Sequence, residues 1–264
     1  MLSESRQIVP VPQLDFGLKK GDALAFLGSC FATNMATKAR EFGFRVGDNP
    51  NGIIFNPISL ALALKGVLLN TPIIPYEAQK EFISFEHHGS FRTADREAFF
   101  EQIEAERSKF KVLLDEAKVL FVTFGTAGVF EHLPSNTLVA NCHRLPTQDF
   151  NRRMLSIEEI VGLWSELLDL LREAYPQLQV VFTVSPVRYK NLGAHGNQLS
   201  KARLLLAQES LLQKHPNTHY FPAYEIILDE LRDYRFYQGN LAQVSEEAVE
   251  YVWGKLVGSL SFLH

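Results

Sequence analysis

The chain has 264 residues, 46% of them hydrophobic, and a formal net charge of −4, a composition typical of a globular protein able to bury a full core. A slightly acidic balance with no Lys/Arg cluster speaks against a nucleic acid or an anionic membrane as partner, since both need a concentrated basic footprint. A small uncharged substrate fits better. The two cysteines, Cys30 and Cys142, stand far apart and suggest neither a disulfide framework nor a paired-cysteine zinc site; no metal and no cofactor are expected.

Residues 1–20 include Pro10, Pro12 and Asp15 and lack a long apolar core. Neither a signal peptide nor a membrane span is expected there, and the chain reads as cytoplasmic. Residues 23–27 form a short apolar run that ends in Gly28-Ser29-Cys30, after which the pattern turns amphipathic. A strand-to-helix elbow of this kind aims a hydroxyl or thiol out of a sheet, and the helix offers unpaired amides and a positive dipole end to a developing anion. The alternative is that Ser29 caps the helix and Cys30 packs as a small hydrophobe. Residues 49–57 and 76–92 read as functional loops, and 93–116 as a long, charged, weakly amphipathic helix. One domain over 1–264 with insertions around 49–57 and 76–116 is the expected organisation.

Residues 119–124 form a second buried strand, followed by Gly125-Thr126-Ala127. Ser156 and Glu159 make a capping box, after which Ile160, Trp164, Leu167 and Leu171 lie on one helical stripe that Pro176 ends. A third strand over 178–184 runs into Ser185-Pro186-Val187-Arg188. Helices over 197–214 and 245–257 follow, with a short strand near 218–221 between them. Alternating strands and helices predict a three-layer α/β/α sandwich with a mainly parallel sheet, where ligands bind beyond the carboxyl ends of the strands. The three unusual post-strand segments converge at that end.

Arg188 offers a charge-assisted bond to a carboxylate or sugar phosphate. His87 and His88, among Phe82, Phe85 and Phe91, offer imidazoles in an aromatic loop suited to a sugar or an acyl chain. Adjacent side chains on a strand diverge, so this pair is not expected to bind zinc. Glu225, Asp229, Glu230 and Asp233 read as a solvated helix face.

The segments Gly28-Ser29-Cys30-Phe31-Ala32, Asn49-Pro50-Asn51-Gly52-Ile53, His87-His88, Val139-Ala140-Asn141-Cys142-His143, Ser185-Pro186-Val187-Arg188 and 193–201 together resemble the bacterial GSCFA family, almost end to end. That family is grouped with the SGNH, or GDSL-like, hydrolases. The resemblance implies a flavodoxin-like sandwich and esterase or acyltransferase chemistry on an acyl ester, its substrate a small molecule or glycan. The register of the superfamily's first block puts the nucleophile at Cys30, with Ser29 the competing candidate. Gly52, Gly125 and Asn141 are the oxyanion candidates, and Arg188, Asn197, His87 and His88 the substrate-binding ones.

The superfamily closes with Asp-x-x-His, which supplies the base. The corresponding residues here are Asn240 and Gln243, neither able to accept a proton near neutral pH. His195 and His143 are therefore the candidate replacements. The other outcome is an impaired hydrolase, or a non-catalytic carbohydrate- or acyl-ligand-binding protein on the same scaffold.

Overall fold

The computed structural model describes residues 7–263; the part of the leader-segment expectation that concerns residues 1–6 lies outside them. In chain order come β1 (Leu14–Leu18), β2 (Ala23–Gly28), α1 (Cys30–Phe42), β3 (Arg45–Asp48) and α2 (Pro57–Leu69). Three short strands follow, β4 (Tyr76–Ala78), β5 (Glu81–Ile83) and β6 (Arg92–Thr93), then α3 (Arg96–Leu114) and β7 (Ala117–Phe124). Next are β8 (Gly128–His132), β9 (Thr137–Val139), β10 (Phe150–Met154), α4 (Ile157–Ala174) and β11 (Gln179–Val184). The chain continues through α5 (Gly193–Lys214), β12 (Thr218–Tyr220), α6 (Ala223–Glu225) running into a π-helical turn (Ile226–Leu231), α7 (Glu246–Ser259) and β13 (Leu260–Phe262).

The central sheet has the order β12-β11-β7-β2-β3, every pair parallel. Renumbered along the chain this is the 2-1-3-4-5 order of doubly wound flavodoxin-like sheets, whose ligand crevice opens where the strand order reverses. Here the reversal lies between β2 and β7. Successive strand residues face opposite sides. Leu24 and Phe26 pack with Phe31, Met35, Val252 and Leu256 of α1 and α7. Ala25 and Leu27 pack instead with Leu64, Phe110, Trp164 and Leu204 of α2 to α5. The predicted α/β class, with helices on both faces of a parallel sheet, is the observed one.

The capping box at Ser156 forms as expected, each side chain bonding the other's backbone amide. The predicted helix over 93–116 is α3, capped by Asp95, whose carboxylate accepts from the amides of Glu97 and Ala98. Helix α2 was not legible as a periodic pattern because most of its surface is buried and apolar; its signals were Asn56 as cap and Pro57 at the first helical position. The segment 76–92, read as a loop, holds most of a small antiparallel sheet of β4, β5 and β6, whose last residue is Thr93. Among the described residues no helix is long and apolar enough to cross a membrane.

Candidate active site

The elbow is shaped by Gly28. Its φ is +138°, and a Cβ there would lie 2.3 Å from the Thr123 carbonyl oxygen of β7, so the backbones approach as only glycine allows. The Gly28 amide donates to Asn49 Oδ1 (2.8 Å), tying the loop after β3 to the elbow. Ser29 then sits at the N-cap of α1 in extended conformation, its Oγ accepting from the Phe31 amide (3.3 Å) and donating to Ser185 Oγ (2.9 Å). It is buried. Cys30, the first residue of α1, is a free, half-buried thiol. A helix N-terminus ordinarily lowers a thiol's pKa. Burial instead raises it, outweighing the downward pull of the Phe31 amide, its own amide and Lys201.

The side chain that sequence reasoning missed is Lys201. It is 1% exposed, and its Nζ donates to the Gly125 and Ser185 carbonyls, both at 2.6 Å, joining the ends of β7 and β11 beneath the elbow's Ser29–Ser185 bond. The Tyr224 ring lies 5.7 Å away. Desolvation lowers the Lys201 pKa to about 7, opposed by attraction to Cys30. The signal was present in the pattern: Lys201, Leu204, Gln208 and Leu211 recur at helical spacing, and all four are buried.

Two of the three oxyanion candidates are already committed. The Gly52 amide donates to the Asn49 carbonyl (2.8 Å) and the Gly125 amide to the Phe55 carbonyl (2.7 Å). Turn chemistry takes the N–H groups that an oxyanion would need. Asn141 uses its Oδ1 to accept the His143 amide (2.8 Å), which leaves its amide nitrogen for other partners.

Neither candidate base is hydrogen-bonded to Ser29 or Cys30 among the described residues. His143 is 3% exposed and its Nε2 donates to the Ser84 carbonyl (2.8 Å), so the ring is the Nε2–H tautomer, with desolvation lowering its pKa. It locks the loop after β9 onto the end of β5. His195 is exposed on the first turn of α5. His87 is 1% exposed, with Nδ1 2.8 Å from Ser84 Oγ. His88, half-exposed, accepts the Ser90 amide at Nδ1 (3.3 Å) and packs on Gly52, where an added Cβ would meet His88 Cβ at 2.5 Å. His88 thus borders the loop attached to the elbow, whereas His87 is interior.

Burial, followed by the charges of Arg107 and His143, lowers the His87 pKa from 6.5 to about 3. An unfolded chain therefore binds a proton at this position that the folded chain refuses. His87 contributes stability that is complete above pH 6.5 and is lost as pH falls toward 3, at about 1.4 kcal/mol per pH unit within that window. Urea unfolding of the wild type and His87→Gln between pH 4 and 7 should show the variant's stability falling less steeply; parallel curves would remove this assignment.

Arg188 and Asn197 line a cleft of about 600 Å³ together with Tyr189, Lys190, Tyr224 and Tyr234. The Arg188 guanidinium stacks on Tyr237 (4.6 Å) and Tyr234 (5.4 Å), while Asn197 Oδ1 accepts the Tyr189 amide (3.0 Å). The Arg188 amide donates to the Ala242 carbonyl (2.9 Å), which brings the 240–243 segment to this rim. Asn240 Oδ1 accepts from the Ala242 and Gln243 amides (2.9 and 3.0 Å), a turn that an aspartate would hold equally well. Both Asn240 and Gln243 are exposed. Among the described residues, no group of three His, Cys, Asp or Glu side chains is arranged to hold a metal ion.

Glu230, expected on a solvated face, is buried. Its carboxylate pairs with Lys255 (2.9 Å), whose partner carboxylate side chain is 0% exposed, and it also accepts from Tyr251 and the Val9 amide. At helical spacing Glu230 shares a face with Ile226 and Ile227, four and three residues earlier, and all three are buried.

No curated protein matches the chain. Among solved structures it is similar to an acetyl xylan esterase, Est2A, from the rumen bacterium Butyrivibrio proteoclasticus, at 11% identity and a TM-score of 0.45. That match covers 96% of this chain and 64% of the esterase, so the chain spans less than two thirds of that protein's length. The family model of the GSCFA family matches residues 23–256, and with the elbow residues Gly28 to Ala32 standing at the end of β2, the chain belongs to the GSCFA family.

Proposed function

We propose that the protein transfers an acyl group from an ester through a thioester on Cys30, as a hydrolase or acyltransferase of SGNH type. The observation that carries this reading is the position of Cys30: a half-exposed thiol on the first residue of α1, at the switch point of the sheet. Ser29, buried and engaged as the helix cap, acts as support. The Cys30 amide, among the four helix-starting donors that α1 leaves unpaired internally, faces the developing oxyanion. The alcohol part of the ester, a sugar in the preferred reading, lies toward the tyrosine-lined cleft of Arg188 and Asn197.

Incubation with p-nitrophenyl acetate followed by intact-mass analysis tests this. The wild type and Ser29→Ala should gain one acetyl group and Cys30→Ala none. Absence of the adduct from the wild type, or its retention in Cys30→Ala, defeats the assignment.

A second reading, a carbohydrate- or acyl-ligand-binding protein without turnover, draws support from the raised thiol pKa and from the lack, among the described residues, of an imidazole bonded to the elbow. Calorimetric binding of an acetylated oligosaccharide with no release of acetate would favour it. The pair Asn240→Asp with Gln243→His separates the readings further. Because Gln243 is exposed and makes no hydrogen bond to the elbow, turnover should stay within about tenfold of the wild type. A rise of about a thousandfold would instead mark the native chain as an impaired histidine hydrolase.

A further inference from the structure

Building on the Cys30 reading above, we infer that Lys201 is the group that exchanges a proton with Cys30, in place of the missing histidine. The inference starts from hydrogen-bond supply. Nζ meets two acceptors, the Gly125 and Ser185 carbonyls, each at 2.6 Å. A neutral amine carries two N–H bonds and one lone pair, so it satisfies both carbonyls and keeps the lone pair for a third direction. An ammonium has a third N–H that needs an acceptor. No carboxylate pairs with Lys201 among the described residues, and a sealed, unpaired ammonium is costly. Lys201 interacts with two titratable groups, Cys30 of α1 through charge and not through a direct hydrogen bond, and the Tyr224 ring of α6 at 5.7 Å; α5 itself, β7 and β11 present uncharged groups. The elbow reaches the same place through a second route, since Ser29, next to Cys30, bonds the side chain of Ser185 whose carbonyl Lys201 holds.

The proton and electron balance is complete without another reactant. Cys30 Sγ forms a bond to the acyl carbon as its proton moves to Lys201 Nζ. The carbon–oxygen bond of the ester then breaks, and the leaving alkoxide takes that proton. Water or an acceptor alcohol next attacks the thioester carbon, giving its proton to Nζ; the thiolate leaves and recovers it. Lys201 ends each cycle as the neutral amine with which it began.

The test is the pH profile of Cys30 alkylation by iodoacetamide, measured on the full chain as wild type, Lys201→Gln and Lys201→Met. A coupled amine–thiol pair loses its first proton as a unit, so wild-type alkylation should show an inflection near pH 7. In Lys201→Gln, which keeps two N–H donors but offers no basic lone pair, that inflection should disappear and reaction should require pH above about 9. Acetyl-adduct formation from p-nitrophenyl acetate should fall by about 10²- to 10⁴-fold in both variants. Thermal melting reports whether each variant folds. Unchanged profiles in folded variants would make Lys201 only a clamp on two strand ends and overturn the inference. If neither variant folds, the wild-type profile decides, and an inflection above 9 alone overturns it. A wild type that gives no adduct yet shows the inflection near 7 defeats the Cys30 acyl-transfer reading while leaving the proton-sharing pair intact.

Discussion

Gly28→Ala should be among the most damaging single substitutions in the chain, destabilising it by about 4 kcal/mol or more and abolishing acylation of Cys30. Two costs combine. A non-glycine residue at φ +138° is strained by roughly 1 to 3 kcal/mol. The added Cβ would also stand 2.3 Å from the Thr123 carbonyl oxygen and 2.8 Å from Thr123 Cβ. These atoms belong to β7, a central strand paired on both sides, so relief requires separating β2 from β7 at the switch point. Overpacking of this kind is one of the few mechanisms that reach such magnitudes. Urea unfolding measures the loss. Gly254→Ala is the control: it lies within α7, exposed, with no atom within 4 Å of the added Cβ, and should stabilise by about 0.5 to 1 kcal/mol. A Gly28→Ala variant within 1 kcal/mol of wild type would show that the elbow tolerates a side chain and that its geometry is not constrained as described.

Lys255→Met is expected to cost about 3 kcal/mol, because it leaves the buried Glu230 carboxylate without its cation. The methionine retains most of the apolar stem, so the change isolates the charge. Burial pushes the Glu230 pKa up, but the bonds from Tyr251, Lys255 and the Val9 amide outweigh it and hold the carboxyl below its ordinary 4.5. The sign follows: the native state binds fewer protons than the unfolded chain, so this contribution is present above pH 4.5 and is lost as pH falls through the depressed native value. The variant should therefore lose stability at pH 7 and approach the wild type in acid. The double change Glu230→Leu with Lys255→Met should recover much of the loss, since no unpaired charge remains. Equal destabilisation at pH 7 and in strong acid would show that packing, and not charge, explains the effect.

The parts of the molecule that were legible share one property: their signal is local. β2, β7 and β11 are buried on both faces and so read as continuous apolar runs. Helix α4 carries its own start and stop signals. The Gly28-Ser29-Cys30 elbow announces itself because an apolar strand and an amphipathic helix meet there. α2 escaped notice for the opposite reason, since a helix buried on most of its surface has no polar face to set a period. Glu230 departs from the expected solvated face because, at helical spacing, it lies over the apolar Ile226 and Ile227 and not beside Glu225 and Asp229. Gly52 and Gly125 were reasonable oxyanion donors by position, yet the acceptors that take their amides, Asn49 and Phe55, are set by how the loops fold back on themselves.

Read alone, the sequence determined the α/β class, the family and the elbow, because strand burial, helix caps and residue identity are properties of neighbouring residues. The tertiary structure decided which side chains meet the elbow. Ser185 lies 156 residues from Ser29, and Lys201 lies 76 residues from the Gly125 carbonyl it holds. A lysine in a sequence reads as surface because its charge favours water. Only the packing of α5 against the ends of β7 and β11 removes that water, and with it the preference for the charged form.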